Sequence, residues 1–157
     1  MKILTLPDKH LRHPTRNVSK VDKKIKELVA RMFEALEEST GVGLAAPQIG
    51  ENLNVVVLGF EPDDKQREKL KLPAVPKMVL INPRIVSASK QVSVEKEGCL
   101  SVPETEIPVP RFQKIQIEYL DEDGRKRKFK ARGFLARVIQ HELDHLRGKT
   151  ITDYSDK

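Results

Sequence analysis

Two histidines four residues apart, with a glutamate directly after the first, commit one stretch of this chain to a helix. The stretch is Gln140-His141-Glu142-Leu143-Asp144-His145, an H-E-x-x-H pattern. On a helix, residues four apart stand one above the other on a single face, so both imidazoles reach one metal ion. Glu142 then lies beside the first ligand, placed to deprotonate a reacting water. The pattern predicts metal-assisted hydrolysis. The alternative is a solvated helix that happens to carry two histidines. It weakens because two of only four histidines in the chain fall at this spacing.

The surrounding sequence supports a helix from Gly133 to Arg147, with Leu135, Val138, Ile139, Leu143 and Leu146 forming an apolar face. A second helix is predicted from Val21 to Ser39. There Val21, Ile25, Leu28, Val29, Met32, Phe33 and Leu36 recur at three- and four-residue steps, with Ser19 or Asp22 as its cap and Gly41 at its end. Gly41 to Gly50 reads as a loop of small residues, and Asn54 to Phe60 as a buried strand. The polar stretch Glu61 to Lys77 reads as a surface insertion. Strands are expected at Met78 to Asn82, Arg84 to Ser89 and Gln91 to Glu95. Prolines exclude a central strand from Val102 to Pro110, and Ile115 to Leu120 pairs with Lys126 to Ala131 as a hairpin. The expected architecture is a single α+β domain over residues 1–157, with mostly antiparallel strands packed around the helix that carries the metal motif.

Composition narrows the setting. One cysteine, Cys99, excludes an intramolecular disulfide and points to a reducing compartment, and the N-terminus lacks the pattern of a signal peptide. A cytoplasmic protein is expected, with no membrane partner because no run of about 18 apolar residues exists. The net charge of +6 is spread along the chain rather than clustered with aromatics. That favours a solvated basic surface over a specific nucleic-acid site, with a transient ribosomal partner as the lesser alternative.

A hydrolytic metal takes about three protein ligands and leaves one position open. Cys99, in Glu97-Gly98-Cys99-Leu100-Ser101, is one candidate for the third, with Gly98 letting its loop turn tightly; a buried inert cysteine is the competing reading. After His145 the chain holds only Asp153 and Asp156 and no glutamate, which argues against the usual metallopeptidase arrangement.

Three segments, in this order, resemble the peptide deformylase family: Gly41-Val42-Gly43-Leu44-Ala45-Ala46-Pro47-Gln48, then Glu97 to Ser101, then Gln140 to His145. The similarity runs from Leu6-Pro7-Asp8 and Leu11-Arg12 to about Tyr154, nearly the whole chain. The resemblance implies removal of the formyl group from the N-terminal formyl-methionine of nascent peptides, with release of formate. It implies one divalent metal ion per chain, Fe²⁺ first and Zn²⁺, Ni²⁺ or Co²⁺ accepted, held by Cys99, His141 and His145. It also implies Glu142 as general base and acid, with the Leu100 backbone N–H and the Gln48 amide stabilising the oxyanion. An H-E-x-x-H metallopeptidase is the alternative.

For the methionine side chain the residues suggest an apolar pocket of Val42, Gly43, Leu44, Phe134 and Val138, with Glu97 and Gly98 at its edge; plain core packing is the competing reading, of equal weight for Phe134 and Val138. A Glu97–Arg111 pair is expected to hold the cysteine loop, and Arg137 shares a helix face with His141. Asp144 is expected to face solvent or make a structural contact, and His10 and His13 to lie at the surface. Many bacterial members of the family extend beyond the motif helix into a long C-terminal helix, in some cases used to dock on the ribosome; this sequence stops at Lys157, so docking by that route is not expected. Glu106 stands where some relatives have a basic residue, which implies a changed preference beyond methionine.

Overall fold

The computed structural model describes residues 2–155; Met1 and Asp156, the latter one of the downstream acidic candidates, lie outside them, as does Lys157. Residues Lys23–Glu37 form helix α1, and the Asp22 side chain accepts the Ile25 N–H at 3.1 Å as its cap. Its C-terminus does not use Gly41. The end residue Glu38 keeps right-handed helical geometry, and Ser39 closes the last turn through its Oγ–H to the Leu36 carbonyl at 2.7 Å. A serine hydroxyl satisfies the orphan carbonyl there, so no left-handed glycine is needed.

Gly41 to Gly50 is not a loop. Gly43–Ala45 is a short strand, β1, and Ala46–Ile49 a single 3-10 turn. Gly43, Leu44 and Ala45 carry no strand signal of their own; β1 exists because it pairs antiparallel with β2 (Val55–Phe60). Glu61 to Lys77 contains a short exposed helix, α2 (Asp64–Leu70), and the start of β3 (Val75–Ala88). The two strands expected on either side of Pro83 are one strand with a bulge. Asn82 takes φ +51 there, and its side-chain amide bonds both the Val18 N–H and the Val18 carbonyl, at 2.8 and 2.9 Å. Asparagine tolerates that conformation better than most residues.

Strands β6 (Lys114–Leu120) and β7 (Lys126–Arg132) form the expected hairpin. Together the strands make a five-stranded antiparallel sheet in the order β1-β2-β3-β6-β7. β2 explains how the sheet is covered. Val55 and Val57 point into a cluster beneath α1, while Val56 and Leu58 point into one beneath α3 (Gly133–Leu146). With a helix on each face, the alternation expected of a half-exposed strand disappears and the run reads as continuously apolar. Fully burying each such side chain stabilises the fold by about 1.5–3 kcal/mol before entropy is counted.

β4 (Val92–Cys99) and β5 (Val102–Phe112) form a separate two-stranded ribbon joined by a turn at Leu100–Ser101. Pro103, Pro108 and Pro110 sit in β5, which has a strand neighbour on one side only. Missing N–H groups are tolerated at such an edge. The ribbon encloses a small core of Val102, Ile107, Val109 and Ile151. No helix among the described residues is long and apolar enough to cross a membrane.

Candidate active site

Helix α3 runs beneath the sheet with Val138, Ile139, Leu143 and Leu146 buried against it, which anchors the two histidines. The end of β4 brings Cys99 to them. Its Sγ lies 3.3 Å from His145 Nε2, and the ligand-type atoms of Cys99, His141 and His145 all lie within 4.8 Å of one another. Separations of this order suit donors bonded at about 2.0–2.3 Å to a shared ion. A thiolate with two imidazoles fits a borderline divalent transition metal, and three donors leave a position open.

Glu97 organises the next layer. Its Oε1 lies 2.9 Å from His141 Nδ1, which leaves the Nε2 of that ring for the cluster. Arg111 holds both carboxylate oxygens, Nη2 to Oε1 at 2.8 Å and Nε to Oε2 at 3.0 Å. Arg137, one turn before His141, adds Nη1 to Oε2 at 2.6 Å and also bonds the Val109 carbonyl and Ser93. Burial pushes the Glu97 carboxyl up, but the hydrogen bonds from His141 and Arg111 outweigh it and hold it at about 2. Arg111 is 5% exposed and is held firmly charged by Glu97 and Asp144 against the cost of its own burial. The expected Glu97–Arg111 pair is therefore present as a bidentate, buried bridge.

Asp144 does not face solvent; its Oδ2 accepts from Arg111 Nη1 at 2.6 Å and from the Tyr154 hydroxyl at 2.7 Å. Removing one partner of a buried pair leaves the other charge uncompensated. Arg111→Ala is accordingly expected to destabilise the fold by about 3–5 kcal/mol, measured by denaturant unfolding of metal-free protein. An unchanged midpoint, with metal content intact, would remove Arg111 from this role.

Glu142 is 4% exposed, and its Oε1 has no hydrogen-bond partner among the described residues. Desolvation, opposed by His141, lifts its carboxyl to about 7. A carboxylate near neutrality with a free oxygen is suited to taking up and returning a proton. Gly43 makes room for it: a Cβ at that position would stand 2.9 Å from Glu142 Oε2 and 3.0 Å from Leu58 Cδ2. Burial holds the His145 pKa well below the ordinary value, whereas for His141 burial is outweighed by the hydrogen bonds to Cys99 and Glu97, which push its pKa up to about 10.

Gln48 comes in from the 3-10 turn after β1. Its Oε1 accepts the Ala45 N–H at 2.9 Å and its Nε2 donates to Ser101 Oγ at 3.1 Å. This orients the amide and leaves one of its two N–H groups beside the turn that carries Leu100. Ser101 escaped the sequence reading because nothing local marks a serine as the partner of a glutamine 53 residues away. Gln140 was also not foreseen. Its side chain pairs with both the N–H and the carbonyl of Phe112, each at 2.9 Å, and so ties β5 to α3.

The residues expected around the methionine separate. Val42, Phe134 and Val138 all pack in the cluster beneath α3, with Val138 5% exposed. Leu44 turns the other way, fully buried beneath α1, so any part it plays falls to its backbone. Gly98 does not make the tight turn: it is an exposed strand residue with room for a side chain, and the chain reverses at Leu100–Ser101 instead. His10 and His13 are exposed.

Comparison with known proteins places this geometry. The family model described as polypeptide deformylase matches residues 1–157. A peptide deformylase of Microchaete diplosiphon is 42% identical over 151 residues, 96% of this chain and 76% of that protein. One of Dictyoglomus thermophilum is 42% identical over 152 residues, 97% and 90% of the two chains. The crystal structure of the Ehrlichia chaffeensis peptide deformylase superposes with TM-score 0.90 at 39% identity, covering 100% of this chain and 88% of that one. That from Synechococcus elongatus, solved with actinonin, gives 0.88 at 34% identity, covering 100% and 79%. Full-length similarity in sequence and in fold together shows that this chain belongs to the peptide deformylase family, metal-dependent enzymes that hydrolyse N-formylmethionyl peptides.

Proposed function

We propose that Cys99, His141 and His145 hold one divalent cation, Fe²⁺ in the cell with Zn²⁺, Ni²⁺ and Co²⁺ accepted, and that Glu142 works beside it to remove the formyl group. The observation that carries the reading is the convergence of the three donor atoms within 4.8 Å next to a buried carboxylate with an unpartnered oxygen. When bound, such a cation supplies Lewis acidity that polarises a carbonyl and makes a water acidic near neutral pH.

The chain's own groups do the rest. Glu142 accepts the proton of the attacking water as its oxygen bonds to the formyl carbon. The free N–H of Gln48 and the backbone N–H of Leu100 donate to the oxygen that gains charge; losing one such donor costs about 10²–10³ in rate. The C–N bond breaks, Glu142 returns its proton to the departing amine, and formate and a free N-terminal methionine result. Val42, Gly43, Phe134 and Val138 receive the methionine side chain, with Gly98 and the backbone of Leu44 along the edge, while the buried Glu97 has both oxygens taken by Arg111, Arg137 and His141 and does not reach the substrate. Glu97 sets the His141 ring. The substrates are nascent formyl-methionyl peptides in the cytoplasm. An endopeptidase reading of the same helix is not favoured, since no glutamate follows His145 in this sequence to act as the usual third ligand and Cys99 stands with the two histidines instead.

Anaerobically purified protein is expected to release formate from formyl-Met-Ala-Ser and to leave unformylated Met-Ala-Ser uncut, with metal measured on the same sample. Full metal loading without formate release would overturn the reading. Internal cleavage of the unformylated peptide would restore the peptidase.

A further inference from the structure

We propose that Tyr154 is a positioning residue for the metal centre, acting through Asp144, Arg111 and Glu97 on His141. The inference rests on the reading that His141, with Cys99 and His145, holds the cation.

The hydroxyl of Tyr154 donates to Asp144 Oδ2 at 2.7 Å, the same oxygen that receives Arg111 Nη1 at 2.6 Å. From there the guanidinium carries the connection on. Its Nε and Nη2 grip Glu97, whose Oε1 meets His141 Nδ1 at 2.9 Å. A guanidinium is a rigid plane with donors fixed in a fork. Whatever sets the end that meets Asp144 also sets the end that meets Glu97, and with it the orientation of the His141 ring. Asp144 Oδ2 is held between two donors, one from β5 and one from the segment after α3.

That segment is itself firmly placed. Tyr154 ends a 3-10 turn, Ile151–Tyr154, capped by Thr150, whose N–H in turn donates to Asp153 at 2.9 Å. Ile151 is 1% exposed in the small core beneath β5. Arg12 holds Asp153 at 2.8 Å from the N-terminal side. The Arg111 guanidinium also lies 5.2 Å from the centre of the Tyr154 ring. Phenylalanine would keep that ring contact, so Tyr154→Phe removes the hydroxyl alone.

A Tyr154 that merely staples the C-terminal turn to the fold predicts a loss of stability with no change in metal affinity. A positioning role predicts the reverse. The readout is Co²⁺ affinity of metal-free protein, by competition with a chromophoric chelator, with thermal unfolding of the metal-free form alongside. Groups that orient a metal ligand directly are worth about 10–100-fold in affinity. Tyr154 acts further along the chain of bonds, so Tyr154→Phe is expected to weaken Co²⁺ binding by about 3–10-fold. With Glu97→Gln already present, the same substitution is expected to change affinity by less than about twofold, because the connection to His141 is then impaired.

Unchanged Co²⁺ affinity in Tyr154→Phe, or an equal loss in both backgrounds, overturns the proposal while leaving the ligand assignment standing. If Tyr154→Phe does not fold, Asp144→Asn is read by the same titration, with a loss of affinity expected and an unchanged value overturning the proposal. Failure of the unmutated protein to bind one Co²⁺ per chain would overturn the ligand assignment, and this proposal with it.

Discussion

Glu142→Gln is expected to lower the rate of formate release by about 10²–10⁴-fold while leaving the bound cation in place, since positioned proton transfer contributes about that much. Glutamine keeps the shape of the side chain and removes only its ability to take and return a proton. The fold is not expected to suffer. Glu142 is buried, and desolvation lifts its carboxyl to about 7, so ionisation at that site opposes folding. A group whose folded pKa is raised is stabilised in its protonated form, and stability falls as pH rises through the shifted value. A neutral amide removes that cost. Metal-free Glu142→Gln is therefore expected to be at least as stable as the unmutated chain at neutral pH. A variant keeping more than a tenth of the rate, or losing its metal, would take the proton-transfer role away from Glu142.

Cys99→Ala is expected to fail differently, losing metal and activity together. Four-ligand zinc sites are worth about 10–16 kcal/mol, so one ligand's share corresponds to about 10²–10³-fold in affinity. Metal content after dialysis against a weak chelator measures it directly. Cys99 itself lies in the ribbon rather than in the main sheet, and its removal leaves the two large cores untouched. Secondary structure by circular dichroism is expected to stay as it is. Full metal retention by Cys99→Ala would mean that the two histidines find a third donor elsewhere, and the ligand set would have to be redrawn. Side by side, the two variants separate holding the cation from moving the proton.

What could be read in the residues alone was whatever depends on spacing along the chain. The 3.6-residue recurrence from Val21 to Leu36, the hairpin of β6 and β7, and the paired histidines of α3 are all local, because helix and strand geometry fix where neighbours point. The Glu97–Arg111 pair was within reach because Glu97 opens the motif that holds Cys99 and Arg111 follows that segment in the chain. The conformation of Gly41 to Gly50 was out of reach. Its strand exists through pairing with β2, and its 3-10 turn serves to aim Gln48 at Ser101. The prolines of β5 hid a strand for a similar reason, since an edge position becomes known only once its neighbours are known. Leu44 sits between Gly43 and Ala45 in the motif, yet the pleat of β1 sends it to the opposite core.

By itself, then, the sequence determined the helix that carries the paired histidines, the candidate ligands and the chemistry they favour, because residue types and helical spacing suffice for that. The tertiary structure decided which distant groups complete the centre. Cys99 reaches His145, Glu97 reaches His141, and Tyr154 reaches Asp144 because the ribbon and the turn after α3 fold back onto the helix. Those approaches depend on strand pairing and core packing between segments far apart in the chain, and no local pattern of residues encodes them.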